Sequence, residues 1–110
     1  MNHLSLVGQL ADAPTYTRPE NHGPARTAFT VGVPRRGSMA VDWIGVTAVG
    51  APADAVTAAD PAAGAVVAVE GYLHATSPGG DGRYQLDVVA IHVQVLSPSR
   101  KAQQSQEVTP

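Results

Sequence analysis

Five segments of this 110-residue chain place apolar residues at every second position, and one stretch between the third and fourth breaks the rule. A period of two is that of side chains alternating across a sheet, so the chain is committed to strands with one dry face each. In the first segment Leu4, Leu6, Gly8 and Leu10 alternate with Ser5, Val7 and Gln9. In ARTAFTVGV (25–33), Phe29, Val31 and Val33 point inward while Ala28, Thr30 and Gly32 point outward. Pro34 and the Arg35-Arg36-Gly37 turn end that strand. VDWIGVTAV (41–49) sets Ile44, Val46 and Ala48 on one face and Val41, Trp43, Gly45, Thr47 and Val49 on the other. VVAVEGYL (66–73) turns Val67, Val69, Gly71 and Leu73 inward and leaves Ala68, Glu70, Tyr72 and then His74 outside. A carboxylate is costly to bury, so Glu70 marks the wet side, where it is expected to pair with a neighbouring cation. Gly71 weakens a strand unless the backbone bends or packs closely there, and so marks a bend. The fifth segment carries Tyr84, Leu86 and Val88 on one parity and Ile91, Val93 and Val95 on the other. That slip near Val89 predicts a bulge, where one long strand turns a corner.

The exception, APADAVTAADPAAG (51–64), is alanine-rich, has Pro52 at a first helical position, and stops at Pro61 and Gly64. It predicts one short helix. DAPTYTRPENHGP (12–24) reads as a long excursion with a short extension near Tyr16, and SPGGDGR (77–83) as a hairpin connection. Eleven glycines and nine prolines agree with a small all-β domain rich in turns. Five strands, a helix between the third and fourth, and a bent fifth strand describe a five-stranded Greek-key barrel of the OB type over residues 1–96. Residues 97–110 form a polar tail, expected to be disordered. No run approaches the ~20 apolar residues of a membrane span, and MNHLSLVGQL is too short and polar for a signal peptide. A cytoplasmic protein is expected, with no membrane partner.

Without cysteine, thiolate metal sites and cysteine nucleophiles are excluded. His3, His22, His74 and His92 show no metal-ligand spacing with acidic residues, so no metal and no cofactor are expected. There is no G-x-S-x-G elbow or phosphate-loop lysine, and PGGDG lacks the following helix of a phosphate cradle. An enzyme is not expected. Seven Lys and Arg against nine Asp and Glu give a formal charge of −2, so a polyanion partner would need a concentrated basic face rather than a basic surplus.

NHLSLVGQL, the DAP turn, AFTVGVPRR, VDWIGVTAVG, GAVVAVEGYL and DGRYQLDVVA, in this order and spacing over roughly residues 2–96, resemble the bacterial single-stranded DNA-binding protein family. The resemblance implies an OB-fold that assembles as dimers or tetramers and wraps single strands without strong sequence preference, in replication, recombination and repair, in association with the nucleoid. Such binding needs aromatic faces for bases and cations that track phosphates. Trp43 lies at the family's base-stacking position; its plainer role is packing against a neighbouring subunit. Arg35 and Arg36 match the family's basic pair after the second strand, the alternative being a solvated turn. Tyr72 and His74 project from the outer face with Glu70, and Thr47 shares the parity of Trp43. His3 before the first strand and Arg83 at the head of the fifth complete the candidate set. Tyr84 reads as a core or rim residue, and Phe29 as core.

Departures from the family pattern thin this platform. Val49, Pro78 and Gly37 stand at or near positions the family fills with aromatics, and Gly45 and Thr76 at basic positions. The chain ends EVTP, without the acidic stretch and terminal Pro-Phe that dock repair partners, so none are expected through the tail. Two functions follow: non-sequence-specific single-stranded DNA binding by a homo-oligomer, most simply a tetramer with a dimer possible; or an OB-fold interaction or assembly module with weak or lost DNA binding.

Overall fold

The computed structural model describes residues 1–18, 23–76 and 84–97. The hairpin expected at 77–83, with Arg83 and Pro78, and the tail from residue 98 onward lie outside the described residues. Among the described residues, six strands and one helix follow in the order β1 (Leu4–Leu10), β2 (Thr15–Thr17), β3 (Arg26–Pro34), β4 (Val41–Val49), α1 (Ala51–Ala59), β5 (Val66–Thr76) and β6 (Gln85–Ser97). The sheet runs β1-β5-β6-β4-β3-β2 and closes through a β1–β3 pairing. Five long strands thus form a closed barrel, an OB-fold. The short β2, the extension expected near Tyr16, continues the line of β1 along β3: Leu10 pairs with Val31, and Thr15 with Ala28.

Alternation puts Leu10, Phe29, Val31, Val46, Ala48, Val67, Val69 and Val88 into the core, on the parities the sequence assigns them. Helix α1 adds Ala53 and Val56 and packs against β3, β4 and β6. Its first turn carries Pro52, and the chain leaves it at Asp60, in the left-handed conformation (φ 46°), whose N–H donates to the Val56 carbonyl at 2.9 Å. The helix ends there, just before the stop expected at Pro61.

The bulge falls at Ile91, two residues beyond the expected slip. Glu70 pairs with His92 and Gly71 with Ala90, so Ile91 has no partner across the ladder. The extra residue moves the buried parity from Val88 and Ala90 to Val93, and Ile91 itself turns outward, 55 % exposed, although it shares the alternation of Val93 and Val95. Gly71 is required there: a β-carbon would collide with the carbonyl oxygen of Val89. Leu73 is also exposed (47 %) rather than inward. β1 begins at Leu4, opposite Gly71, so beyond that level β5 and β6 extend as an arm with no further strand paired to β5 among the described residues. Leu86 and Tyr84 are exposed on the same arm, so Tyr84 is not core.

Candidate nucleic-acid interface

Register across four strands assembles the outer face row by row. Ala28, Thr47, Val89 and Tyr72 are successive cross-strand partners on β3, β4, β6 and β5. The next row holds Thr30 and Gly45, then Asp87 and its partner His74. Beyond it, Gly32 faces Trp43. Trp43, Thr47, Tyr72 and His74 therefore stand on one continuous surface, which no single strand could show. His3 is exposed just before Leu4, at the end of β1 where Asn2 ties its side chain to the backbone of Leu73 (2.8 and 2.9 Å).

Trp43 is 62 % exposed. Gly32 keeps the outward parity expected of it, but it is buried, covered by this indole. A β-carbon at Gly32 would lie 2.6 Å from Cζ3 of Trp43 and 3.1 Å from Cε3 and Cη2. Beside the indole runs an apolar groove of about 360 Å³ bordered by Val7, Gly8, Pro34, Val41 and Val66. A second, polar groove of about 300 Å³ crosses β3 and β4 over Phe29 and Val46, with Asp12, Thr15, Thr30, Thr47 and Asp87 along it.

The turn after β3 is held by Arg35 N–H to the Ala40 carbonyl (2.9 Å) and Ala40 N–H to Ser38 Oγ (3.0 Å), with Gly37 at φ 73°. Arg35 and Arg36 are both exposed on it. The Arg35 guanidinium donates to Asp42 Oδ1 at 2.6 Å. That hydrogen bond holds the Asp42 carboxyl below the usual carboxylate range and raises the Arg35 pKa. Arg35 thus meets any phosphate already partnered by a carboxylate.

Two residues unassigned from sequence belong to this surface. Arg26, exposed at the far end of β3 between Thr17 and Val49, shares the outward parity of Ala28 and Thr30, a signal present in ARTAFTVGV. Asp87 is the other: its Oδ1 would lie 3.3 Å from a β-carbon on Gly45, so a carboxylate leans over that position. Arg26 at one end and Arg35 with Arg36 at the other bracket about 30 Å of strand. Between them lie an indole, a row of threonines and two carboxylates.

The chain matches the model of the single-strand binding protein family over residues 1–96. No curated protein matches its sequence. Among solved structures it is similar to a deletion mutant of the single-stranded DNA binding protein from Thermus aquaticus, with TM-score 0.69 and 22 % identity over 86 % of this chain and 40 % of that one. It therefore spans well under half of the Thermus chain. It is equally similar in fold, at TM-score 0.69, to the SSB domain of a protein from Synechococcus sp., with 19 % identity over 86 % of this chain and 94 % of that one. At such identities the two structures speak for the fold alone.

Proposed function

The chain belongs to the single-strand binding protein family, and from that premise we propose that it binds single-stranded DNA without sequence preference on the outer face of β3, β4, β6 and β5. The observation that carries the proposal is Trp43, outward on β4 and 62 % exposed, a large aromatic surface that the core does not use. A base stacks on the indole, which is indifferent to base identity because every base has a π-face. Phosphates are met by Arg36 and Arg35 at one end and by Arg26 at the other, with Tyr72, His74, Thr47, His3 and Arg83 as further contacts. Residues 1–96 are the binding domain and 97–110 its tail. The work is non-enzymatic: holding single strands during replication, recombination or repair, in the cytoplasm at the nucleoid.

A second reading is favoured by one observation. Asp87 leans over Gly45 within the proposed path, and Asp12 lines the same groove. Two carboxylates there suit a protein partner or simple assembly better than a polyanion.

One titration separates the readings. Oligo-dT added at low salt should quench the emission of Trp43, the chain's single tryptophan. Trp43→Ala should weaken binding by about 1–3 kcal/mol per stacked base. If Trp43→Ala binds as well as wild type with its oligomeric state intact, Trp43 is an interface residue and the DNA reading loses its main support; if the wild type itself does not bind oligo-dT, the DNA reading fails and the interaction module stands.

A further inference from the structure

Gly32 and Trp43 are direct partners across the antiparallel β3–β4 ladder. Side chains at such positions ordinarily stand side by side, with their β-carbons about 4.5–5.5 Å apart. Here one side chain is missing and the other has folded into its place: three consecutive carbons of the benzene ring lie 2.6–3.1 Å from where the β-carbon of Gly32 would be. A methyl group at Gly32 cannot coexist with the indole in this pose, while the backbone of β3 beneath it is fixed by the ladder. The ring would have to lift.

Resting on the proposed DNA-binding role of Trp43, we propose that Gly32 is a positioning residue: it seats the indole on the sheet, so that Trp43 offers a single pre-oriented face and takes one base. Fixing the ring before the strand arrives removes the rotamer entropy that a free-standing tryptophan would lose on binding. It also bars a base from slipping beneath the ring, so the path passes over Trp43 rather than around it. An aromatic ring laid over a cross-strand glycine can also serve only to stabilise the sheet. The test must separate the two roles.

The single tryptophan makes the pose directly readable. In wild type, acrylamide should quench Trp43 less than it quenches free tryptophan amide, and oligo-dT should remove most of the remaining access. Gly32→Ala should raise acrylamide access and weaken oligo-dT binding about 3- to 10-fold, a part of the loss expected when a whole base stack is removed. In a Trp43→Ala background the same Gly32→Ala change should have no further effect on binding. A Gly32→Ala loss that persists without Trp43, or unchanged acrylamide access in Gly32→Ala, overturns the positioning role. So does a wild-type indole quenched as freely as tryptophan amide, a result that needs no variant to fold. If Trp43→Ala alone binds like wild type, the stacking role of Trp43 falls and that of Gly32 with it, whereas a wild type that does not bind oligo-dT removes the DNA-binding reading itself.

Discussion

At the scale of single residues, Asp42 sets how much of the basic turn a phosphate can use. Its carboxylate accepts from Arg35 at 2.6 Å, and both partners are exposed, so water and salt compete with the pair and its worth to stability is small. Its effect on a ligand is larger, because a phosphate must displace or share the guanidinium. Asp42→Asn should tighten oligo-dT binding at low salt and steepen log affinity against log salt by about 0.7, one phosphate neutralised on a single strand. A salt titration of both proteins checks this, and an unchanged slope would place Arg35 off the DNA path. The pH dependence has a definite sign. The folded-state pKa of Asp42 lies below its ordinary value of 3.8, so the pair's contribution is complete above that value and is lost as pH falls through the lowered one. Following the Asp42 carboxyl carbon by NMR should show it ionised and paired through the neutral range, with its titration displaced to the acid side of an exposed aspartate.

At the scale of elements, the β5–β6 ladder depends on a glycine where its bulge begins. A β-carbon at residue 71 meets the carbonyl oxygen and carbon of Val89 and the Cα of Ala90, all backbone and held by the ladder. Gly71→Ala should therefore lower stability by about 1–3 kcal/mol or more, the range for forced overpacking. Gly45→Ala, whose nearest neighbour is the swinging carboxylate of Asp87 at 3.3 Å, should stay close to wild type. Thermal unfolding of the two variants gives the comparison. The glycine was legible in the sequence because it interrupts a run of valines, and so were the inward sides of β1, β3 and β4, where alternation is unbroken. Leu73 and Ile91 were not. Their exposure depends on where the facing strand begins and on which residue lacks a partner, and both are properties of pairings between distant segments. The same limit hid Asp87, which reaches the site through the parallel β4–β6 pairing (Thr47 with Val89), a contact unmarked in either strand's own pattern. Trp43 could be placed on the outer face by parity, whereas its seat on Gly32 needed the β3–β4 register.

At the scale of the whole molecule, the barrel closes but leaves one edge bare. β1 pairs with β5 along Leu4–Gln9, yet meets β3 only at Gln9 and Leu10, so among the described residues the second edge of Leu4–Gly8 carries no ladder. Unpaired strand edges template further strands unless they are charged, bulged or covered. Here the edge is flanked by Val7, 54 % exposed, and opens onto the groove with Val41, Val66 and Trp43. The net charge of −2 spread over 110 residues is too small to keep copies apart. We therefore expect a homo-oligomer built on antiparallel β1–β1 pairing, most simply a tetramer formed from two such dimers. Edge pairing uses main-chain groups in the plane of the sheet, so it leaves the outer face of Trp43 open to a strand. Light scattering at micromolar concentration should give a multiple of the 11.3 kDa chain mass. Val7→Lys, which places a charge beside the edge, should lower that mass while the far-ultraviolet circular dichroism of the barrel is retained. A wild-type mass of one chain would remove the edge pairing. A Val7→Lys protein that stays assembled would move the interface elsewhere on the barrel.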